Sequence, residues 1–354
     1  MKLIFTSFIS IALLISCSNQ ESEKLTLEGV DPEDLVIEIS ERVSVTDSHI
    51  RGLHLIDETS GWASGSKGTF LRMTDGNTWV EHSIQGYTRL DFRDIHGFDS
   101  LNAVIMASGS EGKILRTKNG GRSWQEVYSD ISEGVFLDGM DFNDSLGICY
   151  GDPINGRFYG VYTLDQGRTW TKSSMKGFPE PLSAEAGYAA SGTGIVVMDD
   201  REYTATGGGS SARVIRSMRE LEMDFRTEAL DTPIKSEEGC GIFSIAFKNN
   251  SQGVAVGGCY LDSTSTDGNC AVTFNAGNDW LLVDSLPPSG YRSCVAYSDV
   301  DDFYLTCGRT GIDVSVDDGL TWKSISTEGY FTCSIAESSA WLMGRSGKMA
   351  KANW

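Results

Sequence analysis

An octapeptide recurs along this chain, and its recurrence constrains the fold more than any bulk property does. The pattern is hydroxyl-x-Asp/Asn-x-Gly-x-hydroxyl-Trp. Three copies keep every position: Thr117-x-Asn119-x-Gly121-x-Ser123-Trp124, Thr163-x-Asp165-x-Gly167-x-Thr169-Trp170 and Ser315-x-Asp317-x-Gly319-x-Thr321-Trp322. Two copies are degraded. Thr273-x-Asn275-x-Gly277-x-Asp279-Trp280 exchanges one hydroxyl for a carboxyl, and around Trp79 only Gly76 and Thr78 hold their places. The chemistry is that of a turn: Asp or Asn accepts hydrogen bonds from turn N–H groups, Gly tolerates positive φ, and the indole packs the hairpin against its blade. One copy would be weak evidence, but five on related spacing define a repeat.

A second recurring element sets the number of units. Ahead of each octapeptide stand an apolar strand, a Gly-containing turn and another strand, as in Trp62-Ala63-Ser64-Gly65 leading to Gly68-Thr69-Phe70-Leu71-Arg72. Ala107-Ser108-Gly109 leads in the same way to Gly112-Lys113-Ile114-Leu115-Arg116, and equivalent turns begin near Gly151, Gly207, Gly257, Gly308 and Gly344. That gives seven units. The fourth lacks the octapeptide, keeping only Arg213-Val214-Ile215-Arg216-Ser217 with Phe225 near the Trp position, and the seventh stops at Trp354. Residues Leu35 to Val45 alternate like a strand and belong to no unit. The expected fold is all-β: a seven-bladed β-propeller over residues 35–354, its last blade closed by the amino-terminal strand so that no edge stays open.

Ahead of that body the sequence reads as an export signal. Lys2 is a positive n-region, Leu3 to Ile15 form an apolar run too short to span a bilayer, and Leu14-Ile15-Ser16-Cys17 ends it as a lipobox. Residues 1–16 are therefore expected to be removed and Cys17 to be acylated, which anchors the chain to a membrane. Residues 17–34 are polar and acidic and read as a flexible tether. Ser18 stands where Asp would favour inner-membrane retention, so an envelope location with the outer membrane favoured over the inner is expected.

Charge and cysteine usage exclude several functions. With 29 Lys and Arg against 49 Asp and Glu, the formal net charge is −20 and no basic surface is concentrated enough for nucleic acid. Apart from Cys17, seven cysteines remain, an odd number incompatible with complete pairing. Cys259 and Cys270 flank a polar loop that a disulfide could close, and the others read as small buried apolar residues. No CxxC occurs and the four His (His49, His54, His82, His96) form no ligand pattern, so neither metal nor cofactor is expected.

The octapeptide resembles the Asp-box, or bacterial neuraminidase repeat. Over residues 35–354 the chain further resembles the photosystem II stability/assembly factor family of propellers, in particular its non-photosynthetic bacterial lipoprotein members. The stretches that carry this likeness include Arg51-Gly52-Leu53, Gly151-Asp152-Pro153, Ser191-Gly192-Thr193, Thr206-Gly207-Gly208-Gly209, Gly241 to Phe247 and Tyr291 to Tyr297. The chain departs from the family at the decayed boxes near Trp79 and Phe225, and at Cys259, where Asp would follow the paired glycines. The resemblance implies boxes that join the outer two strands of each blade away from the ligand mouth. It also implies a non-catalytic module that docks on a protein during membrane-complex assembly; the chain itself is expected to be a monomer. An oxidoreductase activity is unsupported, because Gly207-Gly208-Gly209 lies in a β-rich repeat and not in the strand-turn-helix setting a dinucleotide needs.

Polar residues opening the innermost strands should line the central mouth. The expected inner strands are Ile50 to Leu55, Phe92 to Phe98, Leu137 to Phe142, Ala186 to Ser191, Ile242 to Phe247, Tyr291 to Tyr297 and Phe331 to Ala336. Arg51, Arg93 and Arg292, with Ser293 and Ser244, are the candidate site for an acidic ligand or a protein partner's acidic loop, unless each Arg pairs with a neighbouring Asp and closes the channel structurally, the arrangement the residues favour. The rival reading is a glycoside hydrolase of the sialidase-like type. Arg51, Arg93 and Arg292 would then imitate an Arg triad, Tyr291 the nucleophile, and Asp94 with Asp138 the carboxyl pair. The Arg-Ile-Pro motif typical of sialidases is absent.

Overall fold

The computed structural model describes residues 35–219 and 225–354. The expected signal peptide, Cys17 and tether lie outside the described residues, as does the side chain of Phe225.

The strands form seven four-stranded antiparallel sheets. The first described strand is β1 (Glu38–Arg42). Blade one holds β2 (Ile50–Leu55), β3 (Gly61–Gly65), β4 (Thr69–Met73) and β5 (Trp79–Ser83). Blade two holds β6 (Asp91–Gly97), β7 (Ala103–Ser108), β8 (Gly112–Thr117) and β9 (Gln125–Asp130). Blade three holds β10 (Leu137–Asn143), β11 (Leu146–Ile154), β12 (Arg157–Thr163) and β13 (Thr171–Lys172). Blade four holds β14 (Ile195–Val197), β15 (Arg201–Ala205), β16 (Arg213–Arg219) and β17 (Phe225–Asp231). Blade five holds β18 (Cys240–Phe247), β19 (Gly253–Cys259), β20 (Cys270–Thr273) and β21 (Leu281–Leu282). Blade six holds β22 (Cys294–Ser298), β23 (Phe303–Gly308), β24 (Gly311–Ser315) and β25 (Lys323–Ser326). Blade seven holds β26 (Thr332–Ala336), β27 (Ser339–Met343) and β28 (Met349–Asn353), and β1 supplies its outer strand. Glu38 faces Asn353 and Arg42 faces Met349 in that closing pair. The seven-bladed ring closed through the amino-terminal strand is as the repeats predict.

Each octapeptide forms the turn between the third and fourth strands of its blade. In blade three, Gly167 N–H donates to Thr163 Oγ1 at 3.0 Å and Thr169 N–H to Asp165 Oδ1 at 2.9 Å. Blade five makes the same bonds although Asp279 replaces a hydroxyl residue, because the Asp279 N–H is the group that donates, to Asn275 Oδ1 at 3.0 Å. The Trp residues do more than brace their own hairpins. Trp79, Trp170, Trp280 and Trp322 each join the apolar cluster shared with the preceding blade. Such a cluster fills every junction around the ring, and the one between blades three and four is the smallest: Leu146, Tyr150, Ile195 and Val197, with Ile148 at its edge.

One pairing the sequence leaves open takes a form it does not suggest, and one expected strand is displaced. The disulfide joins Cys240 to Cys259, which face one another across β18 and β19, and Cys270 is a buried free thiol on β20. The innermost strand of blade four is Ile195–Val197, not Ala186 to Ser191. The earlier segment belongs to a long crossover from β13 that meets the blade at an isolated bridge between Ala186 and Gly207 and is tied to it by a polar anchor. Buried Glu185 accepts from Arg213 Nε at 2.9 Å and from Thr206 Oγ1 at 2.6 Å.

Candidate functional site

The innermost strands begin at one end of the axis, and irregularities there decide what faces the mouth. β2 shifts register between Ile50 and Gly52, β6 between Phe92 and Asp94, β10 between Leu137 and Gly139, and β18 between Ile242 and Ser244. The residues skipped by these bulges are Arg51, Arg93, Asp138 and Phe243. A bulge leaves its extra residue out of the ladder and re-aims the side chain, so one local device repeated in four blades gathers two guanidinium groups, a carboxyl group and an aromatic ring.

Arg51 and Arg93 both reach the crossover segment ahead of β14. Arg51 Nη1 donates to Ala190 O at 3.3 Å and its guanidinium lies 4.5 Å from the centre of the Phe331 ring. Arg93 Nη1 donates to Ala189 O at 3.1 Å, and its Nε pairs with Asp91 at 2.9 Å. Burial, then the positive charge of Arg93, lower the Arg51 pKa, and Arg309 acts in the same direction. A guanidinium remains charged through such a shift. Arg309 is exposed, bonded to Tyr260 O at 3.3 Å and lying over the Tyr260 ring. Beside these cations Tyr188 stacks on Phe243 at 3.9 Å, and Tyr291 meets Phe243 edge-on at 4.7 Å.

Other expected site residues have different places. Arg292 is fully buried inside blade six, where its guanidinium pairs with Asp313 and donates to Tyr291 O, Thr310 Oγ1 and Ser289 Oγ. It lines no mouth and completes no triad with Arg51 and Arg93. Tyr291 is buried, and that burial raises its phenol pKa, the wrong direction for a nucleophile. Asp94 is buried too; it accepts from Ile95 N–H at 2.8 Å and Met140 N–H at 2.7 Å, and burial raises it to about 8. Asp138 is 1% exposed and makes no well-formed hydrogen bond to a donor. Burial and the neighbouring Asp152 carboxylate hold its pKa well above the ordinary range. Asp94 and Asp138 therefore do not face one open cleft as a glycosidase pair must.

Asp94 and Ser244 serve instead in a ring of latches. Adjacent innermost strands do not pair with each other, so their facing N–H groups need other acceptors. Met140 N–H takes Asp94, Gly97 N–H takes His54 Nδ1, Val197 N–H takes Asp141 and Val295 N–H takes Ser244 Oγ. Cys333 N–H takes Cys294 Sγ, Leu55 N–H takes Ser334 Oγ, and Ile245 N–H takes the backbone oxygen of Thr193. Every blade junction carries one such bond. Ser293 is likewise structural, donating to Phe331 O at 2.7 Å.

Of the expected residues, Arg51 and Arg93 lie together at this end of the axis, beside Arg309, Tyr188, Tyr260 and Phe331, which the sequence does not single out. Arg309 directly follows the sixth repeated turn at Gly308, a signal that could have found it. Among the described residues, one cluster has metal-ligand character, Glu237 with Cys240 and Cys259, and the disulfide occupies both its sulfurs.

No protein-family model matches this chain, and no curated protein does. Solved structures do. A structure described as YCF48 bound to D1 peptide superposes with a TM-score of 0.63 at 15% identity, covering 92% of this chain and 99% of that one. YCF48 from Cyanidioschyzon merolae gives a TM-score of 0.58, also at 15% identity, covering 88% of this chain and 98% of that one. YCF48 is a photosystem II assembly factor, and the likeness to it is one of propeller fold.

Proposed function

We propose that this chain is a non-catalytic binding propeller whose mouth captures an acidic or carboxylate-bearing segment of a protein partner. The observation that carries the reading is the placement of Arg51 and Arg93 by equivalent bulges at one mouth, half-buried, each with a flat guanidinium beside an aromatic ring. Asp91 already pairs with Arg93, so the positive charge left over at the mouth comes from Arg51 and the exposed Arg309, which join no salt bridge among the described residues, and a guanidinium matches a carboxylate in a two-point fork. That a similar fold was solved with a peptide bound supports a peptide-sized occupant. Affinity capture of envelope proteins with wild type and with Arg51→Ala/Arg93→Ala tests it. Losing two charge-assisted bonds of about 1.5–3 kcal/mol each should cut recovery at least about tenfold; equal recovery of every partner removes the mouth from the argument.

We further propose that the propeller is a monomer held in the cell envelope, at the outer membrane, by acylated Cys17. The support is the lipobox Leu14-Ile15-Ser16-Cys17 and the absence of Asp at position 18. Labelled fatty acid should join the wild type and not Cys17→Ala; labelling of both would overturn the assignment.

A further inference from the structure

The junction between blades three and four has the smallest apolar cluster of the ring, and a cavity of about 50 Å³ stands beside it. Its wall includes Tyr150, Tyr159, Tyr162, Met175, Phe178 and Glu202. Space arises here for local reasons: Gly160 contributes no side chain, and the outer strand β13 is only two residues long.

Glu202 is out of keeping with its position. It lies on β15, the second strand of its blade, and the second strands β3, β7, β19, β23 and β27 (GWASG, AVIMAS, GVAVGGC, FYLTCG and SAWLM) contain no charged residue. In β11 the one charge, Asp152, stands at the mouth end. Glu202 is only 6% exposed, and its buried Oε2 makes no well-formed hydrogen bond, the Ser217 hydroxyl and the Arg219 charge being the groups near enough to act on it. The nearby guanidinium of Arg219 donates instead to Met198 O. A buried carboxylate oxygen paired this weakly is costly. Here that oxygen belongs to the wall of a cavity whose remaining surface is mostly aromatic and aliphatic.

A carboxylate among aromatic faces is the chemistry that holds an organic cation, since ring faces attract positive charge and a carboxylate completes its hydrogen bonds. We propose that this pocket binds a small alkylammonium ion, its charged head on Glu202 and its carbon body against Tyr150, Tyr162 and Phe178. At about 50 Å³ the cavity accommodates an ammonium head with one or two carbons and excludes longer chains and ring systems. The assignment is independent of the mouth and of what binds there. Burial raises the Glu202 carboxyl to about 7, so the pocket reaches full negative charge on the alkaline side of neutrality.

The test is calorimetric titration of the full chain at pH 8 and fixed ionic strength, with methylammonium chloride and with the neutral methanol. Saturable one-to-one binding of the ammonium is expected, with methanol at least tenfold weaker. Glu202→Gln preserves shape and should weaken the ammonium at least tenfold. Thr204→Leu, which fills the cavity beside an intact Glu202, should abolish binding and serves if the Gln variant does not fold. Diffuse attraction to a chain of charge −20 would survive either change. No saturable binding to wild type, equal affinity for methanol, or undiminished binding by either folded variant overturns the proposal and leaves a cavity holding water alone.

Discussion

Asp94 keeps a carboxyl group inside the ring and uses it to hold blade three. Its two N–H donors need an acceptor more than they need a charge. Asp94→Ala should therefore cost about 1–3 kcal/mol, the penalty of leaving the Met140 N–H unpaired, whereas Asp94→Asn keeps an acceptor oxygen and should cost less; denaturant unfolding reads both. The pH dependence follows from the same burial. Asp94 is raised to about 8 and Glu202 to about 7, while unfolded carboxyl groups titrate near 4. Between pH 6.5 and 8 the folded chain thus holds protons that the unfolded chain has lost, and stability must fall as pH rises. His54, lowered to about 4 by burial, acts in the opposite sense, but only below its unfolded pKa of about 6.5. The thermal midpoint should drop from pH 6.5 to pH 8, with a shallower drop in Asp94→Asn. A midpoint that rises over this range contradicts a protonated Asp94.

At the scale of the element, the octapeptide turn and the bulge do opposite kinds of work. The turn is written in its own residues, because each hydroxyl, carboxyl and glycine bonds within the same eight positions. Gly167 shows how tightly: its φ is +73°, and a Cβ there would lie 2.6 Å from Val104 in blade two. Gly156 has the same φ of +73° with nothing near its missing Cβ. Gly167→Ala should therefore destabilise by roughly 1–3 kcal/mol more than Gly156→Ala, since only the first adds a steric clash to the backbone cost; comparable losses would show that the turn does not depend on its neighbour. The bulges at Arg51, Arg93, Asp138 and Phe243 have no comparable signature. A bulge is a mismatch between two strands, so reading one strand gives the neighbourhood of the mouth without its register. For that reason the sequence places Arg51 and Arg93 near the mouth but groups Arg292 with them, although Arg292 is buried inside blade six.

For the whole molecule, closure is the property on which the rest depends. β1 covers the outer edge of β28, and seven latches and seven apolar junctions then hold every blade between two others. Deleting residues 35–45 should uncover β28, lower the thermal midpoint and promote edge-to-edge association visible by light scattering; a deletion variant that stays monomeric with an unchanged midpoint would show that the strand is dispensable. The sequence by itself determined the blade count, the scaffolding turns and the closing strand, because these rest on repetition and on interactions among near neighbours. Only the tertiary structure decided which polar residues meet at the mouth, that Cys240 and not Cys270 pairs with Cys259, and that Asp94 and Ser244 bond across junctions. Those outcomes depend on how separate blades pack around one axis, and no local spacing in a strand records the residue that will face it from the next blade.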